Sequence, residues 1–263
     1  MAFLEKKSKV FVVTGGLGNI GTYLINRLLE QNNIVVIIDY DYQKFNKLIE
    51  LKTLKDDKQI VFKQCNLESE LERNATIESI LTEYQEIDCL VNNAAYVSNN
   101  DFSGWNETFV EQRLDMWRSA IEVNLTAPFH FARDLLKPLK NAVDGNIINI
   151  SSIYAQVGPD WSLYNNTSMG NPAAYSVSKG GLEQLTRWLA TTLAPDVRVN
   201  CVAPGGIFRN QHEAFVKRYE VKTPMKRMGK ENDIIGAIAF LSGEEARYIT
   251  GQILNVDGGF TAW

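Results

Sequence analysis

The chain has 263 residues, of which 45% are hydrophobic and 22% charged, and its formal net charge at pH 7 is −4. This length fits one large α/β domain with a well-buried core, and the mild negative charge argues against nucleic acid as a partner. No apolar stretch is long enough for a membrane span or a signal peptide, so a cytoplasmic protein without membrane association is expected.

The cysteines and histidines do not form a ligand pattern. Cys65, Cys89 and Cys201 are widely spaced among apolar neighbours, which predicts reduced packing residues. His130 and His212 have no partner at metal-ligand spacing, so the sequence predicts no metal site.

The first motif is a glycine cluster that follows an apolar, β-branched run. Residues 10–13 are Val-Phe-Val-Val, glycines follow at Gly15, Gly18 and Gly21, and helical spacing begins near Tyr23. The pattern predicts a strand, a tight turn and a helix. Glycines allow the backbone to bend sharply and let a pyrophosphate approach the free N–H groups at the helix start.

A second apolar run, residues 34–38, ends at Asp39. At this distance from the glycine turn, an acidic side chain accepts hydrogen bonds from the adenosine ribose of a dinucleotide. The same carboxylate would repel the 2′-phosphate of NADP, and no arginine follows in residues 40–43. The sequence therefore predicts NAD as the cofactor; the competing interpretation is that Asp39 merely caps the next helix.

Strand-like and helix-like segments alternate along the rest of the chain. Apolar runs occupy residues 10–14, 34–39, 59–63, 87–91, 146–151, 197–202 and 253–256. Stretches with helical spacing, such as 108–116 and 182–194, separate them. This alternation predicts an α/β fold: a single-domain, Rossmann-type, doubly wound parallel sheet over residues 1–263, with helices on both faces. Ligands of such sheets bind at the carboxyl ends of the strands.

Three polar side chains downstream form a candidate proton-transfer site. Tyr175 and Lys179 are four residues apart, so on a helix they share one face. A nearby ammonium favours the phenolate, which could then act as a base near neutral pH. Ser152, at the end of an apolar run, could hold a substrate oxygen against the phenol.

Together these motifs resemble the short-chain dehydrogenase/reductase family, and the resemblance covers nearly the whole chain. Asn92-Asn93-Ala94-Ala95 resembles the Asn-Asn-Ala-Gly segment after the family's fourth strand. Tyr175-x-x-x-Lys179 resembles its Tyr-x-x-x-Lys, and residues 204–207 and 251–259 resemble its later cofactor turn and final strand.

The resemblance implies the roles of individual residues. The implied catalytic set is Asn124, Ser152, Tyr175 and Lys179, in which Asn124 anchors a proton-conducting water and Lys179 also binds the nicotinamide ribose. The cofactor-binding residues expected are Gly15, Leu17, Gly18, Asn19, Ile20, Gly21, Asp39, Asn66, Leu67, Asn93, Ala94, Ala95, Tyr175, Lys179, Pro204, Gly205 and Ile207. The implied reaction is hydride transfer between NAD(H) and a secondary alcohol or ketone. The implied assembly is a homodimer or homotetramer packed through residues 116–137 and 174–194.

Two segments depart from the family pattern. Residues 158–171, between Ser152 and Tyr175, are longer than usual and rich in aromatics, amides and hydroxyls, which predicts a small polyhydroxylated substrate. The amino-acid sequence of this segment is similar to that of oxidoreductases of bacterial flagellin-modification and surface-sugar pathways. The competing interpretation is a loop that packs its own Trp161 and Tyr164, or an interface patch. Residues 206–228 are expected to form a lid, with Arg209 where a cofactor-touching threonine is common.

Two other functions remain open at this point. The glycine spacing, with Asn19 in place of a glycine, resembles the sugar-nucleotide-modifying branch, so a sugar epimerase or dehydratase that retains NAD is one alternative. A non-catalytic NAD-sensing protein is the other. The intact set of four catalytic residues argues against a sensor, which needs no proton chemistry.

Overall fold

The computed structural model describes residues 8–50, 59–96 and 103–263. Seven parallel strands form one sheet in the order β3-β2-β1-β4-β5-β6-β7. The strands are β1 Val10–Thr14, β2 Ile34–Asp39, β3 Ile60–Gln64, β4 Cys89–Asn92, β5 Asn146–Ile150, β6 Arg198–Pro204 and β7 Ile253–Val256.

Helices connect successive strands. They are α1 Asn19–Glu30, α2 Tyr42–Glu50, α3 Glu70–Glu83, α4 Leu114–Ile121, α5 Ala127–Asp134, α6 Leu136–Asn141, α7 Ala173–Leu193, α8 Glu213–Lys222 and α9 Glu231–Ser242. A π-helical turn, Glu122–Thr126, joins α4 to α5. Shorter 3₁₀ turns lie at Phe109–Glu111, Ile153–Ala155, Trp161–Tyr164 and Glu244–Ala246.

The predicted fold class is confirmed, and each predicted strand is present within about two residues of its expected ends. The strands are easy to recognise because both faces of the sheet are covered. Neighbouring residues Val12 and Val13 are each 0% exposed although they point to opposite faces. The strands therefore consist of continuous apolar runs instead of alternating apolar and polar residues.

One helical prediction is wrong in its limits. Residues 108–116 form a 3₁₀ turn followed by extended backbone, and α4 begins only at Leu114. The Arg113 N–H donates to the Gly104 carbonyl oxygen at 3.0 Å, which anchors an extended segment before the helix. Phe109 and Val110 are left exposed, so their apolar spacing reflects no buried helix face.

Two apolar clusters lie on opposite faces of the sheet. One includes Val12, Phe131 and Leu189, which places α5 and α7 on that face. The other includes Val13 and residues of α1 and α9, among them Ile25 and Ile238. Since the strand order reverses between β1 and β4, the crevice at the carboxyl ends of these two strands is the expected ligand site of the fold.

Within the described ranges, no helix combines the length and apolarity that crossing a membrane requires. The same residues contain no group of three or more His, Cys, Asp or Glu side chains suited to hold a metal ion.

Candidate active site

The glycine turn after β1 is a compact cradle at the start of α1. Gly15 has a φ of +62°, and a Cβ added at Gly21 would lie 2.4 Å from the Gly15 carbonyl oxygen. Both positions therefore require glycine. Gly18 caps α1 and has no side chain to accept from the first-turn N–H groups, which are left to bind an anion. The cradle fits the pyrophosphate of a dinucleotide.

Asp39 at the end of β2 is held by this turn. Its Oδ2 accepts from the Leu17 N–H at 3.0 Å, and its Oδ1 accepts from the Asp41 N–H at 3.3 Å. Asp39 is 9% exposed, and burial raises the pKa of its carboxyl, while the backbone hydrogen bonds oppose the rise. The carboxylate lies beside the turn that would hold the pyrophosphate, where a ribose would follow.

Asn66 and Leu67 follow β3 on the other side of Asp39. The Asn66 Oδ1 accepts from the Glu68 N–H at 3.0 Å and so closes a local turn, while its second lone pair is left for a group of the cofactor. The Leu67 carbonyl accepts from the buried Arg73 guanidinium. The sequence did not single out Arg73, whose partners are distant in the chain.

The segment after β4 packs directly on the glycine turn. A Cβ on Gly15 would lie 2.6 Å from the Ala94 Cα, and Ala95 follows it exposed. The Asn93 Nδ2 donates to the Gly15 carbonyl oxygen at 2.8 Å and to the Thr14 carbonyl oxygen at 3.2 Å. The Asn93 side chain thus fixes the turn, and the two alanines form a narrow wall beside it.

The turn after β6 closes the other end of the crevice. A Cβ on Gly205, directly after Pro204, would lie 2.8 Å from the Asp257 Cα. The Gly206 N–H donates to the Tyr219 hydroxyl at 2.6 Å, and Ile207 pairs with Gly229 through a backbone bridge. These contacts link the turn to α8 and to the residues after β7.

The predicted catalytic residues meet between β5 and α7. Ser152 is the second residue after β5, and its Oγ accepts from the Tyr154 N–H at 3.2 Å. Burial raises the pKa of the Tyr175 phenol, whereas a hydrogen bond with Ser152 and the charge of Arg209 lower it. Ser152 therefore lies near enough to the Tyr175 phenol to lower its pKa, and the proposed proton transfer requires the two side chains to be neighbours.

Lys179 lies one turn further along α7, almost wholly buried. Its Nζ donates to the Ile150 carbonyl oxygen at 2.6 Å, and burial lowers the pKa of its ammonium to about 8. The sequence predicted that Lys179 tunes Tyr175. In this structure the charge acting on the phenol is that of Arg209, and Lys179 points to the end of β5.

Asn124 occupies the centre of the π-helical turn. Its Oδ1 accepts from the Tyr96 N–H at 2.7 Å, and its Nδ2 donates to the Ser178 Oγ at 2.9 Å. Asn124 is 0% exposed and both ends of its side chain are occupied, so the side chain ties α7 to the segment after β4. A water anchored at Asn124 would have to use its backbone. No sequence pattern predicts the π-helical turn, although such turns are frequent at functional sites.

The long segment 158–171 packs on α8. Its Tyr164 ring lies 5.3 Å from the Phe215 ring and 5.8 Å from the Trp161 ring, centroid to centroid. Tyr164 is buried, whereas Trp161 is 57% exposed. The packing of these two aromatics on each other, which the competing interpretation predicts, is observed, and Tyr164 is buried.

Most cations of the expected lid have partners within the described chain. Arg218 donates to the carbonyl oxygens of Leu163 and Asn165. Lys217, Arg227 and Lys226 contact Glu213, Asp233 and the Val221 carbonyl at 2.6, 2.6 and 2.8 Å. Arg209 makes the loosest contact of the set, 3.5 Å to Glu231, and is 44% exposed. These contacts are made within α8, to α9 and, through Arg218, to the segment 158–171.

Fold and site together define a class of protein: an oxidoreductase built on a doubly wound sheet, with a dinucleotide cradle after β1 and a Ser-Tyr-Lys set at β5 and α7. Comparison with known proteins specifies the family. The chain belongs to the short-chain dehydrogenases/reductases, and the family model "Enoyl-(Acyl carrier protein) reductase" matches residues 16–261.

The chain is similar to several members over nearly its whole length. Post-translational flagellin modification protein A of Campylobacter coli is 30% identical, over 97% of this chain and 98% of the relative. Glucose 1-dehydrogenase 2 of Bacillus subtilis is 31% identical, over 99% and 98%. The crystal structure of a short-chain dehydrogenase from Leptospira borgpetersenii with bound NAD+ matches with a TM-score of 0.83, 30% identity and coverage of 97% and 93%.

Proposed function

We propose that this protein is an NAD-dependent dehydrogenase or reductase that acts on a secondary alcohol or ketone of a sugar or sugar-derived compound. The proposal rests on the nearness of Ser152 to the Tyr175 phenol, with Lys179 one helical turn away, at the carboxyl edge of the sheet that also holds the glycine cradle.

The cofactor assignment rests on two features. Gly15 and Gly21 form a turn in which any side chain would clash, so a pyrophosphate could approach the backbone closely. Asp39, fixed by the Leu17 N–H, would accept from the ribose hydroxyls and repel a 2′-phosphate. The NAD+ bound to the related Leptospira protein agrees with this choice.

The chemistry of each side chain determines the role that we propose for it. Ser152 holds the substrate oxygen, and Tyr175 removes the hydroxyl proton during oxidation or donates it during reduction. Bound NAD supplies the carbon that accepts or gives the hydride. Lys179, whose pKa is lowered to about 8, is poised to exchange protons near neutral pH. Asn124 keeps α7 in register with the segment after β4.

Support for a sugar-like substrate comes from the segment 158–171. It carries an exposed indole at Trp161 and a buried phenol at Tyr164, whose hydroxyl lies 2.6 Å from that of Tyr154. Aromatic faces combined with hydroxyl and amide groups suit a polyhydroxylated ligand. A glucose dehydrogenase among the relatives fits the same substrate class.

The test is a screen of polyols, aminosugars and keto-acids with NAD and with NADP, followed by the Tyr175→Phe variant. The wild type should change the redox state of added NAD, which also separates it from an epimerase that retains its cofactor. Tyr175→Phe should keep NAD affinity and lose roughly 10²–10⁴-fold in kcat, because general acid–base help is worth that much. Near-normal turnover by Tyr175→Phe would contradict the proposed mechanism.

A further inference from the structure

Two phenols meet beside the catalytic pair. Tyr154 lies two residues after Ser152, and its backbone N–H donates to the Ser152 Oγ at 3.2 Å. Tyr164 comes from the long segment before α7, yet its hydroxyl lies 2.6 Å from that of Tyr154. This contact brings two separate parts of the chain to one point.

An amide completes the group. Asn171 precedes α7 and is 6% exposed, and its Oδ1 accepts from the Oγ of Ser176, the neighbour of Tyr175, at 3.1 Å. Its side chain also faces both phenols, since it opposes the rise in the pKa of Tyr154 and of Tyr164. Among the residues that the structure describes, the buried Asn171 Nδ2 has no hydrogen-bond partner of good geometry.

The group faces the reaction site. Burial is the main cause of the raised pKa of Tyr154 and Tyr164, and the charge of an ionised Tyr175 raises both further. Tyr154 and Tyr164 therefore lie close enough to Tyr175 for its charge to act on them. Because burial disfavours the phenolates, Tyr154 and Tyr164 remain neutral and can both donate and accept hydrogen bonds around neutral pH.

The O–H and N–H donors of Tyr154, Tyr164 and Asn171 limit what these side chains can bind. The contact between the two phenols uses one O–H proton, so one phenolic O–H remains, together with the Asn171 Nδ2, which faces the phenols without a hydrogen bond of good geometry. Buried donors without partners are rare in folded proteins and call for an explanation. A ligand oxygen that also carries a proton could accept from the amide and donate to a phenol oxygen.

We propose that Tyr154, Tyr164 and Asn171 form a substrate subsite that binds a second hydroxyl group of the substrate, close to the carbinol held by Ser152 and Tyr175. This inference rests on the proposed function and narrows its substrate class to compounds with at least two nearby hydroxyls. A substrate without the second hydroxyl would leave buried donors unpaired, which is how sites of this kind discriminate.

The subsite is rigid before substrate arrives. Tyr164 packs against Phe215 of α8, and Leu163 beside it is 0% exposed. Lys222 of α8 pairs with Asp160 at the base of the segment. Binding would therefore need little ordering of side chains, so a lost hydrogen bond should be visible in substrate choice.

The experiment compares two probes that differ by one hydroxyl, cyclohexanol and cis-cyclohexane-1,2-diol, in kcat/KM with saturating NAD. The wild type should prefer the diol by at least roughly 10²-fold, as expected when buried polar groups must be paired. Asn171→Leu and Tyr164→Phe should each reduce this preference by about tenfold or more. Tyr248→Phe removes a fully exposed phenol and serves as the matched control, with the preference unchanged.

Each outcome decides the question. If the wild type is equally active on the two probes, the subsite alone is overturned. The same holds if the variants lose activity equally on both probes and unfold at a lower temperature, because the group is then structural. Turnover of polyols from the substrate screen without turnover of the diol would overturn the subsite alone. Absence of turnover with both probes and with every compound of the screen would overturn the proposed function and the subsite with it. Loss of the diol preference in the variants, with unchanged NAD affinity by calorimetry, is the expected result.

Discussion

Replacing Asp39 by asparagine should change the cofactor preference while leaving the glycine turn intact. An amide oxygen can still accept from the Leu17 N–H, which lies 3.0 Å from the Asp39 Oδ2. The substitution therefore removes the negative charge and leaves the main backbone contact. The weaker contact with the Asp41 N–H, at 3.3 Å, is the part most affected.

The expected size of the effect follows from burial. Asp39 is 9% exposed, so salt screens its charge only weakly. Two unit charges ~5 Å apart at an effective dielectric of ~20 repel by roughly 3 kcal/mol, which is about a hundredfold in affinity. A charged acceptor of a ribose hydroxyl contributes roughly 1.5–3 kcal/mol. In Asp39→Asn, NADP should bind about a hundredfold more tightly and NAD at least about tenfold more weakly.

The assay is calorimetric titration of both cofactors into the wild type and Asp39→Asn at one salt concentration. Asp41→Asn, which neutralises the neighbouring carboxylate, is the control and should change the NADP-to-NAD ratio less than Asp39→Asn does. Because burial raises the pKa of Asp39, the NAD preference of the wild type should weaken as the pH falls, starting above the usual range of an aspartate. Tighter binding of NADP by the wild type, or an unchanged ratio in Asp39→Asn, would refute the reasoning.

Three further predictions concern the buried lysine, the arginine beside Tyr175 and the assembly. The pKa of Lys179 is lowered to about 8 from an unfolded value of 10.5, so its charge costs the fold about 3 kcal/mol below pH 8. At pH 7, Lys179→Met should therefore unfold at a higher denaturant concentration than the wild type. The gain in unfolding free energy is the cost of the buried charge less the contribution of the lost hydrogen bond to the Ile150 carbonyl. The gain should shrink as the pH rises toward 10.5, and the variant should be catalytically inactive. A difference that does not fall with pH would contradict this. Arg209→Met removes a charge that lowers the pKa of Tyr175, so the kcat/KM profile for alcohol oxidation should move to higher pH, and Arg209→Lys should restore it; overlapping profiles would exclude the effect. We also propose a homodimer or homotetramer packed through α4, α5 and α7, where Trp188 is 56% exposed; Trp188→Asp should then lower the mass seen by light scattering, and an unchanged mass would place the interface elsewhere.

The sequence by itself determined the architecture and supplied the catalytic set that we propose. Continuous apolar runs such as residues 34–38 indicate strands covered on both faces, and the glycine turn before α1 is a local requirement of backbone geometry. Tyr175 and Lys179 were predicted to share a helix face because their spacing alone requires it, and both lie on α7. Local patterns of this kind depend on few residues and are therefore readable from the sequence, although the spacing at 108–116 shows that tertiary contacts can override them.

Tertiary structure decided what those side chains touch. The partner of Lys179 is a carbonyl at the end of β5, and the charge that acts on Tyr175 comes from Arg209, thirty-four positions later in the sequence. The approach of Tyr164 to Tyr154 likewise depends on how the long segment packs against α8. Such contacts join elements that are distant in the chain, and their geometry is set by packing on both sides. No local periodicity or propensity encodes these contacts, because the same residue types also occur on solvent-exposed loops.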